Sequence, residues 1–206
     1  MTELDTIRET FQRILPLPEK EWQDLASQFT IKSHSKGDFL IREGQIENHL
    51  YFLNHGATRH YFLKDGKEYT VDFAFPGDFV TAYFSWITRE PSPIFIELLE
   101  DTETVSIERN ALDAFYNRSP HAERIGRLMA EHQYAKRLKK EMDLLSLTAE
   151  ERYAQLLSKH PALVSTLSVK HLSSYLGIQP ESLSRIRKAQ ARREQPPKRK
   201  ANPKLT

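Results

Sequence analysis

The sequence predicts an α+β chain in which a compact β barrel or sandwich is followed by one long helix and a small helical domain. Three observations predict it. Five of the seven glycines, Gly37, Gly44, Gly56, Gly66 and Gly77, lie 7, 12, 10 and 11 residues apart, the spacing of successive strand ends in a small β domain. A run from about Pro120 to Leu147 keeps apolar residues on one side of a helix and charge on the rest. Residues 168–188, SVKHLSSYLGIQPESLSRIRK, give two short amphipathic helices joined at a glycine.

From the start, Ile7, Phe11, Ile14 and Leu15, then Trp22, Leu25 and Phe29, form a helical stretch broken at LPLP. After Ile31 come the β-type runs DFLI, LYFL, TRHYFL and YTVDFAF, then PIFIELLED and TVSIER, with a return to helix near Asn110. No internal repeat interrupts them. The long helix carries Ile125, Leu128, Met129, Ala135, Leu138, Met142 and Leu145 on its apolar side. At 1.5 Å per residue, roughly 26 residues span about 39 Å, more than a helix packed inside so small a domain needs. It suits a spine linking two domains and pairing with its own copy. Ile125, Leu128, Ala135, Leu138, Met142 and Leu145 are the candidate dimer contacts, although His132 and Lys139 interrupt the heptad. The expected divisions are 1–117 for the β domain, 118–147 for the spine, 148–192 for the helical domain and 193–206 for a basic, disordered tail.

Within the helical domain, Ser168 caps a helix whose inward residues are Leu172 and Leu176, and Gly177 supplies the left-handed residue that ends it. Ile178 plugs the turn. Pro180 suits the first position of a second helix, which turns Leu183 and Ile186 inward. The other face offers Glu181, Ser182, Ser184, Arg185 and Lys188. Such side chains meet base edges and phosphates in a major groove: arginine bonds guanine in two places, glutamate accepts from cytosine, and serine and lysine hold phosphate. With Ser168, Lys170 and Gln179 beside the turn, these are the candidate DNA contacts.

The overall charge of +2 conceals two opposed halves. Residues 1–117 hold 11 Lys/Arg against 20 Asp/Glu, a net of −9, and residues 118–206 hold 19 against 8, a net of +11. Phosphate attraction therefore coincides with the paired helices, and an acidic partner domain is held off the duplex. Beyond Arg192 the chain is basic and proline-rich, which points to loose phosphate contacts. No stretch approaches the roughly 18 apolar residues of a membrane span and the first ten residues are polar, so a soluble cytoplasmic protein with no membrane partner is expected. The absence of cysteine excludes disulfides, thiolate-ligated zinc and thiolate-held iron–sulfur clusters.

The order of these segments resembles the Crp/Fnr family of bacterial transcription regulators. KGDFLIREGQ at 36–45, LYFLNHGATRHYFLKDGKE at 50–68, FPGDFV at 75–80, the long helix and LGIQPESLSRIRK at 176–188 carry the resemblance across nearly the whole chain. It implies an N-terminal cyclic-nucleotide-binding-like β-roll of the double-stranded β-helix or jelly-roll type, a dimerisation helix and a C-terminal helix-turn-helix. It also implies double-stranded DNA and a second copy as partners, with RNA polymerase as a further one. Glu181 and Arg185 then match the base-reading pair of the recognition helix. Pro180 departs from the pattern, so an operator preference does not transfer.

Members that bind cyclic AMP place a Gly-Glu pair after the PGDF-like turn and, about ten residues later, Arg followed by Ser or Thr. Here those positions read Thr81 and Ala82, then Ser92 and Pro93. Neither the counter-ion for the phosphate nor the acceptor for the ribose hydroxyl is present. The candidate pocket is therefore Gly77, Asp78, Thr81, Ala82, Tyr83, Arg89, Ser92 and Pro93, with Arg89 either standing in for the missing arginine or facing solvent. Phe73, Phe75, Phe79, Tyr83, Phe84 and Trp86 either pack the core or line a pocket for another effector, whose identity the sequence leaves open. His34, His49, His55, His60 and His121 lack the spacing with which cupin-like barrels hold a metal, and nothing selects a haem ligand. No cofactor is called for. There is no nucleophile elbow, P-loop or dinucleotide fingerprint, so the chain is expected not to be an enzyme. The alternatives are a cyclic-nucleotide-responsive regulator with a divergent pocket and a ligand sensor acting through protein contacts.

Overall fold

The structure, a computed structural model, describes residues 3–194. Two helices, α1 (Asp5–Ile14) and α2 (Glu19–Ala26), precede eight strands: β1 (Thr30–His34), β2 (Phe39–Ile41), β3 (His49–His55), β4 (Thr58–Lys64), β5 (Lys67–Ala74), β6 (Phe79–Val80), β7 (Phe95–Leu98) and β8 (Thr102–Glu108). The short helix α3 (Tyr83–Thr88) interrupts them after β6. Then follow α4 (Arg109–Tyr116), α5 (Pro120–Ser146), α6 (Ala149–Lys159), α7 (Pro161–Thr166), α8 (Val169–Leu176) and α9 (Pro180–Glu194).

The strands form two antiparallel four-stranded sheets, in the orders β1-β8-β3-β6 and β2-β7-β4-β5. Alternation along a strand sends neighbouring residues to opposite faces, and β3 uses both. Leu53 joins Ile41, Ala74, Val80, Ala82 and Ile96 in a core between the sheets. Phe52 points the other way and meets Ile7, Phe11, Trp22, Leu25, Leu112, Phe115, Ala122 and Ile125 from the helices. The roll is thus packed inside and capped outside by α1, α2, α4 and the start of α5. At Gly56 a side chain has no room, because a Cβ would stand 2.2 Å from Thr102 Oγ1. The β4–β5 hairpin turns on Asp65 and Gly66, both with positive φ, as a two-residue turn of the primed type requires.

Register divides the face of β4 in two. Thr58, His60, Ile96, Leu98, Asp72 and Ala74 share one side, and Arg59, Tyr61, Phe95, Glu97 and Phe73 the other. Arg59 is 2% exposed. Its guanidinium donates to Thr70 Oγ1 (3.0 Å), Glu68 Oε2 (2.6 Å) and Glu97 Oε2 (3.3 Å) and stacks 4.1 Å from the Tyr61 ring centre, so this burial is matched donor by donor.

The chain separates into two compact units, one up to Asp143 and one from Leu144. In the second unit Tyr153, Val164, Leu167, Leu172, Leu176 and Leu183 are buried. The capping box of Thr148 and Glu151 starts α6, each bonding the other's backbone N–H. The helix α9 continues through Glu194, two residues beyond the division expected at 192. The remaining tail, 195–206, with its expected disorder and phosphate contacts, lies outside the described residues.

Candidate nucleic-acid interface and effector cassette

The turn between α8 and α9 is fixed at both ends by local chemistry. Ser168 caps α8 by accepting from His171 N (3.1 Å). At the other end Gly177 adopts φ 67, ψ 32, and the N–H groups of Gly177 and Ile178 return to Ser174 O (3.2 Å) and Ser173 O (3.0 Å). That pair of bonds is a Schellman closure, and it needs the left-handed glycine. Leu172, Leu176 and Leu183, all at most 1% exposed, form the floor on which α9 lies.

Above this floor Glu181, Ser184, Arg185 and Lys188 are exposed and Ser182 is half-buried. Ser168, Lys170 and Gln179 are exposed near the turn. Arg185 Nη2 donates to Ser182 Oγ (3.0 Å), and Ser184 Oγ returns to Pro180 O (3.1 Å). Two arginines that sequence reasoning passed over brace the unit. Arg187 on α9 donates to Val164 O (3.0 Å), and Arg152 on α6 donates to Leu176 O (2.9 Å) and to Leu147 O. No local pattern marks them, since their acceptors are backbone carbonyls 23, 24 and 5 residues away.

The residues of the expected effector pocket fall together in one segment around α3, but their polar atoms are engaged by the chain. The Gly77–Asp78 turn is tied to β3 through Gly77 N to Leu53 O (2.8 Å) and Leu53 N to Asp78 O (3.1 Å). Thr81 Oγ1 donates to His49 O (3.0 Å). Ala82, fully buried, donates its N–H to Glu47 Oε2 (3.2 Å), and Ser92, 2% exposed, donates from Oγ to Ile94 O (2.9 Å). Pro93 and Tyr83 are exposed. Arg89 is exposed at the surface and is held there by donating to Glu47 O (2.7 Å) and Asn48 Oδ1 (2.6 Å). The aromatic residues do not form one group. Phe73 and Phe75 stack on each other, Phe79 packs on Phe11 and Phe52, Trp86 lies under Arg109, and Tyr83 and Phe84 are exposed.

Glu47 is the residue that the sequence did not reveal here. At 2% exposure, burial raises its carboxyl above the usual range, while bonds from the His49 and Ala82 N–H groups pull the other way. On the inner side of β4, His60 Nε2 lies 3.1 Å from Thr58 Oγ1, and burial pushes its imidazole down to about 4. Lys140 of α5 reaches Asp72 Oδ1 (3.0 Å) and Val71 O there. Among the described residues no group of three or more His, Cys, Asp or Glu stands together as a metal site.

The helix α5 changes character along its length. Ala122 and Ile125 are buried against the roll and α1, α2 and α4, so Ile125 is taken up by its own chain and is withdrawn from the expected seam. Leu128 is half-buried. Farther on, Ala135, Leu138, Met142 and Leu145 are exposed, with Tyr134 beside them. Among the described residues no helix is long and apolar enough to cross a membrane.

Residues 31–119 match the sequence family described as cyclic nucleotide-binding domain. No curated protein matches the chain. Among solved structures, it is similar to FixK2 from Bradyrhizobium japonicum, with 23% identity, 80% of this chain and 85% of that one covered, and a TM-score of 0.66. It is similar to a putative transcriptional regulator of the Crp/Fnr family from Eubacterium rectale, at 19% identity, 85% of each chain and a TM-score of 0.65. It is also similar to CLP, the c-di-GMP responsive global regulator of Xanthomonas campestris, at 20% identity, 85% and 93% coverage and a TM-score of 0.64. At these identities the likeness is one of architecture. The chain has the fold of Crp/Fnr regulators, an antiparallel β-roll that matches the cyclic nucleotide-binding domain, a long helix and C-terminal helices.

Proposed function

We propose that the chain is a homodimeric, DNA-binding transcription regulator of the Crp/Fnr type and not an enzyme, with a sensor roll that works without the usual contacts to cyclic AMP. The observation that carries this reading is the α8–α9 unit, in which buried leucines hold an outward face of Glu181, Ser184, Arg185 and Lys188. A protein-contact face would be apolar at its centre, whereas this one offers groove chemistry on the basic half of the chain. The exposed stripe of Leu138, Met142 and Leu145 supports pairing of two α5 helices, which would present two recognition helices to half-sites about one helical turn apart. In the roll, the alanine, serine and proline at 82, 92 and 93 and the prior engagement of Arg89 support a sensor that does not hold a cyclic phosphate.

The test is DNA binding measured by fluorescence anisotropy, first with selected two-fold symmetric sites and then with random duplex. Arg185→Ala is expected to cost about 1 to 3 kcal/mol on the selected site and to relax its base preference, with a much smaller loss on random DNA. Equal losses on both would remove Arg185 from base reading. Binding by neither would remove the DNA function.

A further inference from the structure

Glu47 sits in the turn that leads into β3, 34 residues before Thr81 in the chain, yet it lies in the middle of the segment read above as the effector cassette. Its two carboxylate oxygens meet three backbone donors. Oε1 accepts from Asn48 N (3.0 Å) and His49 N (2.9 Å), and Oε2 accepts from Ala82 N (3.2 Å). Its own N–H donates to Ser85 Oγ (2.9 Å), and its carbonyl oxygen accepts from Arg89 (2.7 Å). The carboxyl and the Ala82 and Ser85 side of this arrangement are buried, with Glu47 at 2% and Ala82 and Ser85 at 0% exposure, while Asn48 and Arg89 stand at the exposed rim. A burial of that kind is costly for a carboxylate unless donors are provided for it, and here they are provided by three peptide groups from two separated stretches of chain.

To such donors, a carboxylate and one edge of a phosphate present the same thing, a pair of anionic oxygens. We infer that Glu47 is a built-in ligand: its carboxylate, anchored by its own turn at Asn48 and His49, takes the buried Ala82 N–H of the cassette in place of an effector anion and holds the cassette shut from within. This rests on the reading of residues 81–93 as the cassette and does not depend on DNA binding. Arg89, the only cationic side chain between 77 and 93, is spent at the rim on the backbone and side chain of the same turn. A tethered carboxylate competes at an effective concentration of about millimolar or more, so a free anion of the same intrinsic affinity does not displace it at micromolar levels. The sensor is consequently set in one state by its own sequence.

The experiment is thermal melting of the full chain in the absence of DNA, so that a failure here leaves the DNA-binding reading untouched. Glu47→Ala should melt roughly 4 °C or more below the parent, since it takes the acceptor from three backbone donors, of which the Ala82 N–H is fully buried. The side chain removed beyond Cβ is the size of acetate. Excess acetate should therefore restore at least half of the fall, whereas chloride at equal ionic strength and acetamide, which has the same shape without the charge, should not. Cyclic AMP should leave the parent's melting unchanged. Should Glu47→Ala fail to fold, Glu47→Gln keeps the shape and loses an acceptor, and amide exchange at Asn48, His49 and Ala82 should rise about tenfold. The inference is overturned if neither variant differs from the parent, if acetamide restores as well as acetate, or if cyclic AMP stabilises the parent.

Discussion

On α9 the polar side chains at 181, 184, 185 and 188 stand outward from a floor of leucines, while in the segment from Thr81 to Pro93 the polar groups turn inward and bond to their own chain. Both regions are held in place by their own chain, in different ways. The first is positioned by apolar burial and two helix caps, which leave its polar side chains exposed to a partner. The second is positioned by hydrogen bonds from its polar groups to its own chain, so the bonds that fix it also occupy it. One chain therefore carries an outward polar face on α9 and, from Thr81 to Pro93, a segment whose polar groups are bonded to the chain itself. The proposed output and the proposed silence of the input follow from that contrast.

The contrast breaks most severely at the floor of α9. Leu183 is fully buried, and its replacement by alanine should cost about 2 to 5 kcal/mol through lost transfer energy and a residual cavity. In so small a unit that is enough to abolish DNA binding. The unit up to Asp143 should keep its own melting transition, and a single transition shifted as a whole would show that the two units do not fold separately.

This floor was legible in the sequence because every signal in it is local. Leu172 and Leu176 stand four apart on α8, Leu183 and Ile186 three apart on α9, Ser168 and Gly177 bracket α8, and Pro180 opens α9. The glycines at 37, 44, 56, 66 and 77 likewise marked the strand ends, and all have positive φ. The filling of the cassette was not legible. A glutamate in a turn and an arginine in a strand read as solvated charge, and nothing nearby announces that Glu47 meets Ala82 or that Arg59 meets Glu97, partners 35 and 38 residues away. Ile125 illustrates the same limit on a helix. Its period was read correctly, but period alone does not say whether an apolar face meets its own chain or a copy.

The second test sharpens this point along α5. Leu138 is 41% exposed although it belongs to an apolar stripe with Met142 and Leu145, whereas Ile125 is 3% exposed. Leu138→Glu should leave the roll's melting unchanged, because the side chain is not part of its core, and should halve the sedimenting mass at micromolar concentration by placing an unpaired carboxylate in the proposed seam. Ile125→Glu should do the reverse, destabilising the roll whatever the oligomeric state. If Leu138→Glu still sediments as the parent does, the stripe is not where copies meet.

The smallest expected effect concerns pH and separates the filled roll from the open helix. His60 titrates at about 4 in the folded chain and near 6.5 when unfolded, with burial lowering it first and Lys140 and Lys136 adding to this against Asp72. The folded state therefore binds fewer protons than the unfolded state between these values. Its contribution is fully present above about pH 6.5 and is lost as the pH falls towards 4. His34, also lowered by burial, acts in the same direction, and Glu47, raised by burial, acts in the opposite one. Asp72, which is lowered, acts only below the usual carboxylate range and stays outside the window. Replacing His60 with glutamine keeps an amide near the Nε2 position beside Thr58 and removes the titration. The melting temperature of the parent should fall more than that of His60→Gln between about pH 7 and about pH 4.5. Equal falls would mean that the imidazole gains its proton without opening the roll, and that the inner face of β4 is wetter than its burial implies.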